Sequence, residues 1–495
     1  MNIKGYLLFL VILVLSAAGT IIVAQSVTFS FCYSTPDDEM PIDALELENG
    51  NMIVTARKGI FPGLYQVLFL TLDPDGDTIQ SDILSNPNGT CYINTLIADT
   101  AGQFFGIGSY QQSATETSVW LIKMDENLNL LWEKFYHTNC EYMGIVKGFR
   151  NSFNELVIFG DGYTGVITSY DLFICKTTTT GDSLAFRFYP DPAIEFSWSM
   201  VENTNRGNYY FSNSGKFMIN FNANANIISI GYDLNVDTVE MIPGNLFLYN
   251  DLMMIGEHIL NSGIKILSGP STHLLNLLGI VLSDTSLTML NADTLGSMDP
   301  DTLSYPGYIT NLDTNSFGSI YYGGTFNQDN SLFFSYLNSW ILLAKYDFNL
   351  NLQWQKFYGG DQNYGLWGLM ATTDGGCLLL CSTFDDQIQY DERDILVIKV
   401  DSNGLITATH DQPMIMTHDA IVYPNPGSDH CVVILGIQHP AAHLCFYDLL
   451  GRKVMECPLN QPQSRINTEA LPSGTYVYQI SADDKPIGTG KWVKK

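Results

Sequence analysis

Positive charge is scarce in this 495-residue chain: 23 Lys and Arg stand against 51 Asp and Glu, for a formal net charge of -28 at pH 7. No Lys/Arg run offers a footprint for a phosphate backbone, and a surface of this sign repels one, which argues against nucleic-acid binding. From residue 413 onward acidic and basic residues balance, so the whole excess sits in the preceding body, where it reads as a solubilising surface. Charge of either sign makes up only 15% of the chain, and Ser, Thr, Asn, Gly and Tyr fill the space. Those residues favour turns and strands over helices, so the fold class is read as all-β. A hydrophobic fraction of 46% excludes wholesale disorder.

Chemical motifs are missing as well. There is no C-x-x-C pair, which removes support for a zinc or thioredoxin-like reading. No G-x-S-x-G elbow, H-E-x-x-H pair or P-loop is present. The eight His do not cluster, apart from His439 and His443, and Pro440 spoils the helical spacing of that pair. "DPDGD" at Asp73 to Asp77 has the oxygen density of a calcium loop without its remaining ligands, and is read as a turn. No catalytic residue, cofactor or metal ligand is therefore assigned. Nine cysteines leave room for pairing in an exported chain, but Cys377 and Cys381 lie about 13 Å apart along one strand and read as core.

Long apolar runs are absent beyond the N-terminus, so no later segment is expected to span a membrane. The N-terminus itself has Lys4, an apolar run from Tyr6 through Leu15, and small residues leading to Ala24. This predicts a signal peptide over residues 1–24, cleaved between Ala24 and Gln25. A retained anchor is the alternative, weakened by Ser16 to Thr20. No Cys follows closely enough for a lipoprotein site.

Residues 25–412 carry one recurring segment: an apolar strand, often with Lys near its end, closed by Asp and a turn. The end points are Asp73, Asp125, Thr177 (in the Asp position), Asp233, Asp284, Asp347 and Asp401. An earlier strand opens at Gly50, Gly102 and Asn154, and another follows each end point, as in "LLWEKFYH" and "LQWQKFYGG". Three or four strands at this period cannot bury their faces alone, which predicts a radial array. Seven copies predict a seven-bladed β-propeller, with "VTFSFCYS" completing the last blade; six or eight blades stay open. Trp132 and Trp354 hold matching repeat positions and are read as packing between blades. The copies resemble the delta-60, kelch-like repeats of bacterial surface propellers, which implies a fold more than an activity.

Residues 413–495 end the repeat. Pro424 and Pro426 bracket Asn425 and force a turn before the first strand, hairpin turns follow at Asp448 to Gly451 and Pro472 to Gly474, and the final strand is basic. About seven short strands predict an Ig-like β-sandwich. The order of "YPNP", "YDLLGRKV", "LPSGTYVYQI" and "GKWVKK" resembles the type A C-terminal sorting domain of type IX secretion. On that resemblance Tyr423, Pro424, Asn425, Pro426, Gly451, Gly474, Lys491, Lys494 and Lys495 are the sorting-motif residues. It implies passage through the periplasm, recognition by secretion machinery at the outer membrane, removal of the tail, and a cell-surface or extracellular destination in a Bacteroidetes-type host. It also implies O-glycosylation at short sequences such as Asp77-Thr78-Ile79, Asp182-Ser183-Leu184 and Asp293-Thr294-Leu295. The body is expected to bind a glycan, protein or envelope component without catalysis; the alternative is a secreted glycosidase or peptidase with an acidic site in the channel.

Overall fold

The computed structural model describes residues 27–495 apart from 60–63, 88, 101, 114, 145, 164–169, 191–194, 216–224, 269–273, 300–301, 329–336, 385–391, 408–414, 438, 440 and 484. Ala24 and Gln25 lie outside the described residues. All regular structure within them is β, and the body forms seven antiparallel sheets. Numbered in chain order, sheet 1 spans residues 38–84, sheet 2 91–140, sheet 3 142–189, sheet 4 195–241, sheet 5 246–295, sheet 6 303–359 and sheet 7 363–400; sheet 1, for example, runs Asp38–Glu46, Met52–Gly59, Tyr65–Leu72 and Thr78–Leu84 in that order. The first strand of each sheet touches the first strand of the next, and Asp38–Glu46 touches Asn363–Ala371 of the last, so the first strands close a ring around a central channel. The outermost strand of sheet 7 is Phe29–Tyr33 from the other end of the chain, paired antiparallel with Asp394–Val400. The Arg393 guanidinium seals this closure. Its Nε and Nη2 donate to the two Asp38 oxygens at 2.7 and 2.6 Å, and both side chains are 1% exposed. A bidentate pair of this kind satisfies both charges where no water reaches them.

The repeated Asp explains the hairpins. Oδ1 of Asp125 accepts the backbone N–H of Asn127 and Asn129, at 3.0 and 2.9 Å. Asp284, Asp347 and Asp401 do the same two and four residues on. Asp73 makes the identical turn with Asp75 and Asp77, so "DPDGD" is a member of this set. Two copies are offset from the expected end point. The turn opens at Thr178 rather than Thr177, and at Gly231 rather than Asp233, because the hydrogen-bonded loop and not the residue type sets its start. Three residues after the opening the backbone turns left-handed, at Gly76, Gly181 and Gly404 but also at Leu128, Leu234 and Leu350. Those leucines are only 3–4% exposed. Forcing them left-handed costs about 1–2 kcal/mol, while burying a Leu yields about 1.5–3, so burial wins. The Lys near the strand end pairs with the acid of the preceding turn: Lys123 with Asp99, Lys176 with Glu155 and Lys399 with Asp374, each at 2.8 Å.

After the seventh sheet the chain returns to sheet 6. Thr417–His418 adds to the outer edge of Leu352–Gly359, and Ile415 is buried in the body. A sandwich follows, with one sheet of Ala420–Tyr423, His430–Leu435 and Gln463–Asn467, and another of Lys453–Leu459, Ala442–Tyr447, Gly474–Ala482 and Lys485–Lys494. Its core includes Val422, Val433, Leu444, Phe446, Tyr478 and Trp492, drawn from both sheets.

The sandwich is docked on the body. Ile421, Tyr423, Val432 and Ile434 join one core with Leu295, Leu312, Phe326 and Phe357 of sheets 5 and 6. Gln355 Nε2 donates to the Leu435 carbonyl at 3.0 Å, and Lys356 meets Asp419 at 2.5 Å. The outer strand of sheet 6 is consequently buried over its second half, whereas the outer strands of sheets 1 and 4 are largely or wholly exposed.

Candidate functional site

The tail's signature residues, far apart in sequence, converge on one clamp. Tyr423 is fully buried: its ring packs edge-on against Phe326 at 5.0 Å between centroids, and its hydroxyl lies 2.5 Å from Ser297 Oγ of the body. Burial pushes that phenol well above its ordinary pKa. The Pro424 carbonyl accepts the Trp492 indole N–H at 2.8 Å. The Asn425 amide donates to the Lys491 carbonyl at 2.8 Å while its oxygen accepts the Val493 N–H at 3.0 Å. The peptide bonds before Pro424 and Pro426 are both cis. Lys494 Nζ reaches the Ser428 carbonyl, and Lys495 N–H donates to Gly427 at 2.8 Å. "YPNP" and the basic C-terminal strand therefore form a single unit. Gly451 and Gly474 stand apart from it. Gly451 closes the hairpin turn in which Asp448 accepts Leu450 and Arg452, while Gly474 opens the strand that pairs with Lys494.

Residues 421–495 match the family model described as the secretion system C-terminal sorting domain. The tail is a type IX sorting domain. Its presence implies export to the cell surface or the extracellular space and interaction with the type IX machinery. Among the described residues no helix is long and apolar enough to cross a membrane. No family is matched over the propeller, and no curated protein matches the chain. Solved structures similar to it include a polysaccharide lyase of family PL25, an ulvan lyase, at 9% identity, covering 74% of this chain and 95% of that one with a TM-score of 0.48. A subtype N10 neuraminidase-like protein of A/little yellow-shouldered bat/Guatemala/060/2010 is 9% identical, over 62% of this chain and 98% of that one, with a TM-score of 0.35. The WD40 domain of SCAP from fission yeast is 6% identical, over 75% and 98%, with a TM-score of 0.39.

Around the ring, buried carboxylates tie three of the first strands to a neighbour. Asp43 accepts the Leu96 N–H at 2.7 Å, and Asp313 accepts Ala371 N–H at 2.7 Å. Asp251 accepts the Ser199 hydroxyl at 2.7 Å and the Asn311 N–H at 3.2 Å. Asp161, on a second strand, accepts both N–H and hydroxyl of Ser197, at 3.1 and 2.8 Å. Its other oxygen has no hydrogen-bond partner and abuts Gly144. Burial raises all four pKa values, Asp43 to about 7 and Asp161 and Asp313 to about 6, because an isolated charge is poorly solvated there. Lys147 crosses this level: Nζ donates to the carbonyls of Trp198, at 3.0 Å, and of Ile309. Burial lowers its pKa, opposed by the charges of Asp251 and Asp43. The ring is thus bridged by the Lys147 side chain, and its carboxylates are engaged as acceptors between strands.

An aromatic cluster adjoins Lys147: Ile309, whose carbonyl it bonds, packs with Tyr65, Tyr92, Tyr308 and Trp367. Tyr142 lies within electrostatic reach of Arg57, Tyr92, Asp161 and Tyr308. Arg57 stacks on Tyr92 at 4.1 Å and donates to Asn94 Oδ1 at 3.0 Å. Tyr308 packs edge-on against Trp367 at 5.3 Å. Tyr142 is 50% exposed. These groups come from five sheets or their connections and carry no repeat signature, so only ring closure brings them together. Trp132 and Trp354 instead pack beside the turn glycines Gly181 and Gly404 of the following sheets, as inter-blade contacts. His439 and His443 do not act as a pair, since Ala442–Tyr447 is a strand. The three tripeptides that fit the O-glycosylation pattern fall on or at the start of outermost strands, with Thr78, Ser183 and Thr294 exposed.

Proposed function

We propose that the protein works outside the cell as a non-catalytic propeller that binds a glycan at this aromatic cluster. The observation carrying this reading is the cluster of Tyr92, Tyr142, Tyr308 and the stacked Arg57 beside Lys147, with Tyr142 half exposed. Rigid aromatic faces cover sugar C–H surfaces, while phenol and guanidinium groups hydrogen-bond hydroxyls. Titrating the purified full chain with a glycan panel tests it, with Tyr142→Ala and Tyr308→Ala expected to weaken binding by about tenfold or more, as loss of a central aromatic does. A second reading, a secreted hydrolase acting on polysaccharide or peptide, draws on Asp161, whose pKa of about 6 suits an acid near neutrality. Turnover that disappears in Asp161→Asn would replace the binding reading with this one.

A further inference from the structure

On the face of the sorting domain away from its core, three side chains of different donor chemistry meet. Cys445 and Glu456 sit directly opposite one another on the paired strands Ala442–Tyr447 and Lys453–Leu459, and His443 lies two residues along on the same face as Cys445. One ligand atom from each lies within 4.8 Å of the others. The flanking Leu444 and Phe446 point the opposite way, into the sandwich core, so alternation along the strand fixes the direction of His443 and Cys445.

We propose that His443, Cys445 and Glu456 form a binding site for a borderline divalent transition metal of the zinc class. One nitrogen, one thiolate and one carboxylate match the three-ligand sites that leave a fourth position for water. The sulfur disfavours calcium and magnesium, which take oxygen ligands. A two-strand ladder supplies rigidity, because backbone pairing already fixes where all three side chains begin. Binding is coupled to proton release, since the thiol must lose its proton to the solvent as the Cys445–metal bond forms. Lys453 competes for Glu456, which it holds at 2.6 Å, and must give way or share that carboxylate. Cys445 forms no disulfide and is buried, so an ion reaches its thiol past the half-buried His443 and the exposed Glu456. The bound ion would clip these two strands beside the exposed Leu449–Leu450 hairpin tip.

The experiment uses the reduced, chelator-treated full chain, titrated with Zn2+ and separately with Co2+. The expected result is one Zn2+ per chain and a thiolate-to-cobalt absorption band. Cys445→Ser should abolish the band, and both it and His443→Ala should weaken Zn2+ binding by more than about tenfold, the least that losing even a supporting partner costs. Lys453→Ala, which frees Glu456 without removing a donor, should leave binding intact or tighten it. Circular dichroism of each variant separates ligand loss from misfolding. Absence of Zn2+ binding by the wild-type chain, or a cobalt band that persists in folded Cys445→Ser, would overturn the proposal.

Discussion

Replacing Tyr423 by Ala should detach the sorting domain from the propeller, and the size of the effect follows from what the ring touches. The side chain is fully buried, joins the core shared with Phe326 and Phe357, and bonds the buried Ser297 hydroxyl. Removing a large buried aromatic costs about 3–5 kcal/mol, and the lost hydrogen bond adds about 1. Tyr423→Phe removes only the hydroxyl, and Ser297 keeps Gln463 within 3.3 Å, so it should cost about 1 kcal/mol. A protease site placed within 408–414 turns this difference into a separation. After cutting, the wild-type sorting domain is expected to co-elute with the propeller on gel filtration, held by Ile421, Val432, Ile434 and the Lys356–Asp419 pair as well as by Tyr423. The Phe variant should co-elute too, and the Ala variant should come apart. A wild-type domain that elutes alone once cut would refute the reasoning, as would a Tyr423→Ala chain whose denaturation midpoint equals that of Tyr423→Phe. Co-elution of the cut wild-type domain would mean that cutting within 408–414 alone does not release the tail.

Two further outcomes are expected. Gly404 is left-handed and a Cβ there would meet Trp354 at 2.8 Å and Lys356 at 2.7 Å, whereas Gly256 is left-handed with nothing within 4 Å. Gly256→Ala should therefore lose only the conformational term of about 1 kcal/mol, and Gly404→Ala more than about 2, measured by urea denaturation. Asp43, Asp161 and Asp313 have folded-state pKa values raised to about 7, 6 and 6, so the folded chain binds more protons than the unfolded chain between about pH 4 and 7. Stability from these groups is fully present below the ordinary carboxylate range and is lost as pH rises through about 7. Melting at pH 5.5 should thus exceed melting at pH 7.5 by a few degrees, and Asp43→Asn should shrink the gap.

The repeat was legible because it is local. An Asp that accepts N–H groups two and four residues on needs no partner from elsewhere, so Asp125, Asp347 and Asp401 announce their hairpins in the chain itself. Where the Asp is replaced or displaced, at Thr178 and Gly231, the same local reading slips by one or two residues. Matching repeat positions likewise identified Trp132 and Trp354 as packing residues, since neighbouring blades repeat the same contact. The order of motifs in the tail was enough to mark it as a sorting domain. Residues without a periodic signature stayed silent. Asp43, Lys147, Asp161, Tyr142 and Tyr308 look like ordinary turn and strand residues until the ring closes. His443 was read against His439 by spacing, but strand pairing sets it beside Cys445 and Glu456.

The sequence by itself determined an all-β repeat body, its hairpin turns and an export tail, because backbone hydrogen bonding and alternation act over a few residues. The tertiary structure alone decided which side chains line the channel, how Arg393 and Asp38 lock the ring, and that the sorting domain shares a core with sheets 5 and 6. These depend on contacts between distant segments, such as Asp38 and Arg393 at a separation of 355 residues, and no local pattern encodes such a meeting.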